Sequence, residues 1–184
     1  MYYFILILTV LIIILFFVLT NLLRRVKLKK VQRKNIELFR QEHKLKNSEL
    51  DIFKQVMKET KELILSFEKL IDQSKRFHSE VLIDEALQGS QAIFKYLMSN
   101  PKKLTDFGDF LYKLLPTVVE ACVEFVQIDH TKVQTAQIRM EEEEILGVIV
   151  SQSQRIKLSY EQVVIAQGEE VALNQKAANK EIIK

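Results

Sequence analysis

The first 23 residues, MYYFILILTVLIIILFFVLTNLL, contain no charged side chain and only three polar ones, Thr9, Thr20 and Asn21. As a helix this run rises about 35 Å, enough to cross a hydrocarbon core of roughly 30 Å. Core helices of soluble proteins usually keep a polar stripe over such a length. A cleaved secretory signal needs a basic leader, a shorter apolar stretch and a small-residue cleavage site, and the run has none of these. Residues 1–23 are therefore expected to form a single transmembrane helix, with Tyr2 and Tyr3 as interfacial anchors.

The next segment, RRVKLKKVQRK, carries seven basic residues and no acid: Arg24, Arg25, Lys27, Lys29, Lys30, Arg33 and Lys34. By the positive-inside rule the rest of the chain is expected in the cytoplasm and the short amino terminus outside. The cluster also suits anionic lipid headgroups. Beyond it, 20 basic residues face 24 acidic ones, so the body is mildly acidic. Basic charge confined to the membrane side argues against a nucleic-acid partner.

Two prolines and four glycines among 184 residues leave few turn residues for a sheet, so the fold is expected to be all-α. One cysteine, Cys122, rules out an intrachain disulfide. The stretch 24–49 reads as a basic juxtamembrane stalk, more polar and weakly packed, and the sequence leaves open whether it continues the membrane helix. From Leu50 a heptad seam runs through Phe53, Met57, Thr60, Ile64, Phe67, Ile71 and Ser74, ending at His78. A second helix is predicted over 81–98, facing inward through Ile83, Leu87, Phe94 and Leu97, and stopped by Ser99-Asn100-Pro101. Thr105 or Asp106 is expected to cap a third, interrupted by Pro116. Its apolar period resumes at once through Val118, Cys122 and Phe125, which predicts a kink or a restart there. The last long helix is predicted over 133–167, with Ile145, Ile149, Ile156, Tyr160 and Val163 or Val164 inward and Gly168 as its stop. The expected layout is a transmembrane helix (1–23), a stalk (24–49), an antiparallel helical-bundle body (50–168) and a polar tail (169–184).

The stretch AIFKYLMSNPKKL followed by FGDFLYKLLPTVVEACVEF, from Ala92 to Phe125, resembles the bacterial 5-bromo-4-chloroindolyl phosphate hydrolysis (XpaC-like) family. That pattern is a helix ending at an Asn-Pro breaker, a connector, and an aromatic-rich helix reaching a Leu-Pro-Thr step. Asn100, Pro101, Phe107, Phe110, Leu115, Pro116 and Thr117 carry the match. Leu114 stands where an aromatic is commoner, and YEQVVIAQGEEVALN is loosely similar to the family's last helix. The resemblance spans roughly 60–175 and transfers no catalytic residue. It implies a bacterial protein, often with an amino-terminal membrane segment, associated with tellurite or toxic-anion resistance proteins of the TelA type.

The residues themselves assemble no catalytic constellation, and no cofactor or metal is expected. His43, His78 and His130 are scattered and lack an acid three residues before them, the spacing a helical metal site would use. Cys122 reads as a small core residue, nearly two turns into the helix. Two Ser-x-x-Lys matches, Ser66–Lys69 and Ser99–Lys102, stand without companion motifs. Four consecutive acids, Glu141 to Glu144, point in nearly all directions around a helix and read as a solvated face. The expectation is a membrane-tethered interaction or adaptor protein, its partner a TelA-type protein or a second copy, with Phe53, Met57, Ile64 and Phe67 as candidate contact residues. The alternatives are an indolyl-phosphate hydrolase and a cell-envelope or division coiled-coil protein.

Overall fold

The computed structural model describes residues 34–131 and 135–182, with side chains up to Gly168. The predicted membrane span and all of the basic cluster except Lys34 lie outside the described residues. Among the described residues no helix is long and apolar enough to cross a membrane. The chain divides into two compact units, Met1–Leu50 and Asp51–Lys184.

In the first unit, residues 34–42 are helical (α1). The helix ends in a left-handed residue, Lys44 at φ 52°. The Leu45 amide donates to Arg40 O (3.0 Å) and the Lys44 amide to Gln41 O (3.2 Å), the paired bonds of a Schellman stop. Two residues later a new helix begins, where the Lys46 amide donates to the Glu49 carboxylate (2.8 Å), half of a capping box. The described part of the stalk, 34–49, is thus two helices and not one. A left-handed lysine, which no periodicity announces, breaks it.

The second unit is an all-α bundle. Helix α2 (Asn47–Ile71) enters it, followed by α3 (Lys75–Ser79), α4 (Val81–Ser99), a 3₁₀ segment (Pro101–Phe107), a π segment (Phe110–Leu114), α5 (Leu115–Asp129) and α6 (Ala136–Ile182). The seam predicted from Leu50 is buried at every position, Thr60 on α2 and Ser74 beyond its end included. Thr60 satisfies its hydroxyl on Val56 O (2.8 Å). The helix breaks at Asp72–Ser74 rather than at His78, because Ser74 turns extended and accepts from the Arg76 amide to cap α3.

Helix α4 spans the predicted segment and stops at Asn100, as the Asn-Pro pair requires. Its inward face is smaller than expected: Ala86, Gly89 and Ser90 are buried along with Ile83, Ile93 and Leu97, whereas Leu87 and Phe94 are half-buried. Helix α6 buries Glu142, Leu146, Ile149, Ser153, Ile156 and Val163. The steps of three and four from Glu142 to Ile156 make a second heptad seam, which skips the expected Tyr160, exposed at the surface, before Val163. Leu146 replaces the expected Ile145, and Val164 is exposed. Gly168 does not stop the helix, which continues to Ile182. A glycine ends a helix by turning left-handed, and no glycine here has positive φ.

Contacts fix the directions. Arg76 reaches Glu142, Glu85 reaches Lys157, and Gly89 lies against Tyr160. Both chains climb together, so α4 and α6 run parallel. Arg76 also lies over Phe125, while residues 105–114 lie opposite 155–162, so the segment through α5 runs antiparallel to α6. Within the bundle α4 and α6 are thus parallel neighbours, and the segment through α5 runs antiparallel to both.

Candidate functional site

The residues that carry the family resemblance form one corner of the bundle. Asn100 ends α4, its amide donating to Tyr96 O (2.9 Å) and its side-chain Nδ2 to the same oxygen (3.1 Å). Pro101 is buried and opens the 3₁₀ segment, where a missing N–H costs nothing. Phe107 is buried edge-on to Tyr96, ring centroids 5.9 Å apart. Phe110 and Leu115 are also buried, while Pro116 and Thr117 are half-buried. No Thr105 or Asp106 cap forms, because the 3₁₀ turns run on to Phe107 and Gly108 is already helical.

The structure resolves the alternatives at Pro116. The backbone stays helical through Leu114 (φ −65°, ψ −53°) and Leu115 (φ −65°, ψ −46°), but the preceding turn widens. The Leu115 amide donates to Phe110 O, five residues back. In an α-helix the Tyr112 carbonyl would seek an amide at position 116 and meet a proline ring instead. A π turn absorbs that conflict with one extra residue. Ordinary α-helix then restarts at Leu115 with Pro116 in its first turn.

Beside this widened turn lies a cleft of about 640 Å³ lined by residues 105–110 and 112–114 and by Arg155, Leu158, Ser159 and Gln162 of α6. Tyr112 and Leu158 are exposed in it, at 61% and 49%. Asp106, Asp109, Lys113 and Arg155 line it with charges of both signs. Lys113 Nζ donates to Asp109 (2.8 Å) and holds that carboxyl below its usual range, with a further push from the Arg155 charge. Neither Tyr112 nor Arg155 stood out in the sequence, since a single exposed tyrosine or arginine on a helix carries no pattern.

Two other junctions hold α6 in place. Arg76 donates to Glu142 (3.0 Å) and Glu143 (2.7 Å) and sits 6.0 Å above the Phe125 ring. Both hydrogen bonds favour its charged form. Glu142 is therefore a buried, bonded acid, a correction to the solvated face expected of Glu141 to Glu144; Glu141, Glu143 and Glu144 are exposed. Lys157 donates to Glu85 (2.8 Å).

The remaining candidates are placed as follows. Phe53, Met57, Ile64 and Phe67 are all buried. They belong to the core and offer no surface to a partner, because the heptad seam that marks a docking stripe marks an inward face equally well. His43 is half-buried against Phe39, with ring centroids 4.4 Å apart, and His78 and His130 are exposed. Cys122 is buried in apolar surroundings that push its thiol up to about 12. Ser66 is half-buried, and Ser99 is exposed. Among the described residues no group of three or more His, Cys, Asp or Glu is placed to hold a metal ion. Of the membrane-interface candidates only Lys34 is described, and it is exposed; Tyr2, Tyr3, Arg24, Arg25, Lys27, Lys29, Lys30 and Arg33 lie outside the described residues.

The profile of the 5-bromo-4-chloroindolyl phosphate hydrolysis protein family matches residues 1–171. The match reaches further toward the amino terminus than the motif-bearing stretch and takes in the apolar run. Neither curated proteins nor solved structures give a significant match.

Proposed function

The chain belongs to the 5-bromo-4-chloroindolyl phosphate hydrolysis family, and from that premise we propose that it is a membrane-anchored helical interaction protein of the bacterial inner membrane. In this reading residues 1–23 cross the bilayer, the basic stalk lies on the cytoplasmic leaflet, and the bundle presents its surface to a protein partner. The partner class is a TelA-type toxic-anion resistance protein or a second copy of the chain, and the physiological setting is toxic-anion or envelope stress. The observation that carries the reading is the join of an uncharged 23-residue apolar run and seven basic residues to a helical body. The exposed Tyr112–Leu158 cleft supports it.

The test is to purify the full-length chain from native membranes, with fractionation to read anchoring and identification of co-purifying proteins to read the partner. Recovery in the soluble fraction, or from membranes without any specific protein, itself included, overturns it. The family's own description favours a second reading, a hydrolase for indolyl phosphates. Purified full-length protein is assayed on indolyl and nitrophenyl phosphate with and without a divalent metal. Turnover abolished by a single change at Glu141, Glu144 or His130 would establish the hydrolase. An envelope or division role shares the predicted topology and is separated by septal localisation of a fluorescent fusion.

A further inference from the structure

We propose that the outward face of α6 is a self-association surface, on which α6 of a second copy lies antiparallel about a two-fold axis at the level between Ile149 and Val150. The face follows from the helical period. At about 100° per residue, Met140, Gly147, Ser151 and Leu158 project within about 20° of one line, opposite the buried Ile149. All four are exposed, Met140 at 74%. Glu144 and Arg155 lie along one flank of that line and Arg139 and Glu161 along the other, all exposed.

The order of these residues argues for a second copy. A two-fold axis perpendicular to the helix reverses its direction and keeps each flank on its own side. Reversal about the level between Ile149 and Val150 sets Met140 against Leu158 and Gly147 against Ser151. On one flank it sets Glu144 against Arg155, and on the other Arg139 against Glu161. Each pair falls within one residue of the same level, about 1.5 Å along the axis. Facing groups are thus apolar on apolar, small on small, and acid on base. A surface with this order complements itself, as an isologous contact demands. A parallel pair in register would instead set each charge against its own sign.

The flanking charges are available for such a contact. Arg139, Glu144 and Glu161 make no ion pair among the described residues, and the Arg155 side chain bonds only that of Gln152, at 3.4 Å. Arg155 also favours the ionised form of Asp109, and Glu161 the charged form of Lys157, without an ion pair in either case. Glu143 and Lys157 meet at the same level too, but each is already bonded within its own chain, to Arg76 and to Glu85. Gly147 fits the same picture. Glycine is unfavourable in mid-helix, and a Cβ there would meet nothing within 4 Å, so packing inside the chain does not require it. A second backbone passing at Ser151 does. The inference takes up the second-copy branch of the interaction reading and does not need the membrane anchor.

The test uses the full-length chain in its own membranes. Two differently tagged versions are expressed together, one with Met140→Cys and the other with Leu158→Cys, under mild oxidation. Cys122 is buried with its thiol pushed up to about 12, so the natural chain is the blank. The antiparallel contact brings one cysteine of each kind together, whereas two copies of either variant hold theirs roughly 25 Å apart. The expected result is a disulfide-linked pair carrying both tags, well above the adducts of either variant alone. Adding Gly147→Leu to both versions lowers it roughly tenfold by overpacking at the axis. Adding Glu144→Arg to both lowers it roughly fivefold, the weight of exposed ion pairs, and adding Arg155→Glu as well restores it.

A mixed adduct no stronger than the single-variant ones overturns the proposal. So does a charge-swapped chain whose yield stays low while its helical circular dichroism is unchanged. Co-purification of a different protein without self cross-linking sinks this contact and leaves the wider interaction reading standing. Fractionation of the same cells reads the anchor separately, and soluble chains that still give the mixed adduct would sink the membrane reading alone.

Discussion

Helix α6 meets its neighbours in two opposite ways. Against α4 it comes close at Gly89, which has no side chain to hold the helices apart, while surface grooves of about 400 and 280 Å³ flank that contact. A Cβ built on Gly89 would stand 3.3 Å from Tyr160 Cβ and 3.9 Å from Ile156 Cγ2. Against the 3₁₀–π corner it stays open, and a cleft of about 640 Å³ remains. The two junctions lie on one helix, so α6 is not the cause of the difference. A glycine lets two backbones approach, whereas the residues of the widened turn line the larger cleft. The tight junction is where stability should be most sensitive, and the open one is where substitutions should be tolerated and surface chemistry possible.

Breaking the tight junction should give the largest effect. Ile156 is fully buried on the α6 seam, and Ile156→Ala is expected to cost about 3 kcal/mol through lost burial and the cavity left behind. Chemical denaturation reads it, and a cost under about 1 kcal/mol would mean the junction is looser than its geometry. Gly89→Leu comes next. The new side chain meets a Cβ anchored to the α6 backbone rather than the end of a flexible chain. Overpacking of about 2 kcal/mol is expected, partly offset by the better helix propensity of leucine.

A third test asks whether the openness of the corner reaches the core behind it. Burial raises the Cys122 thiol from 9.0 to about 12. Below pH 9 the thiol is protonated in both states and costs nothing. As pH rises from about 9 toward 12 the unfolded chain ionises and the folded one does not. Stability attributable to this group is then lost at up to about 1.4 kcal/mol per pH unit. The measurement is the difference in alkaline slope between the natural chain and Cys122→Ala. Equal slopes would show that water reaches the thiol.

The smallest effect is expected at the proline itself. Pro116→Ala supplies the missing amide and improves helix propensity. It also lets the π turn tighten, which would turn the buried Phe110, Leu111 and Leu114 off their present face. These opposed terms should leave net stability within about 1 kcal/mol. The sharper readout is local: loss of the Leu115 N–H to Phe110 O bond, seen in a structure of the variant. Persistence of the π turn would show that packing, not the proline, imposes it.

Much of the fold is legible along the chain because it is local. Helical periods of three and four, an Asn-Pro stop and a shortage of glycine each act within one or two turns. The α2 seam and the bounds of α4 follow from them. The breaks that were missed depend on single residues in unexpected roles. Lys44 is left-handed where glycine would normally stand, Ser74 caps a five-residue helix, and Gly168 stays helical. The seam residues Phe53, Met57, Ile64 and Phe67 show the limit of periodicity: it identifies a face that must be covered without saying by what.

The sequence by itself determined an all-α chain, a 23-residue uncharged run backed by seven basic residues, and a family motif built on Asn100-Pro101 and Leu115-Pro116-Thr117. Each of these is a property of neighbours in the chain, set by hydrophobicity, charge and backbone sterics. Only the tertiary structure decided that α4 and α6 run parallel, that Arg76 bonds a buried Glu142, and that Tyr112 and Leu158 line one open cleft. Those pairs lie tens of residues apart. No local preference encodes them, and they exist only because burying the apolar seams brings the helices together in one particular register.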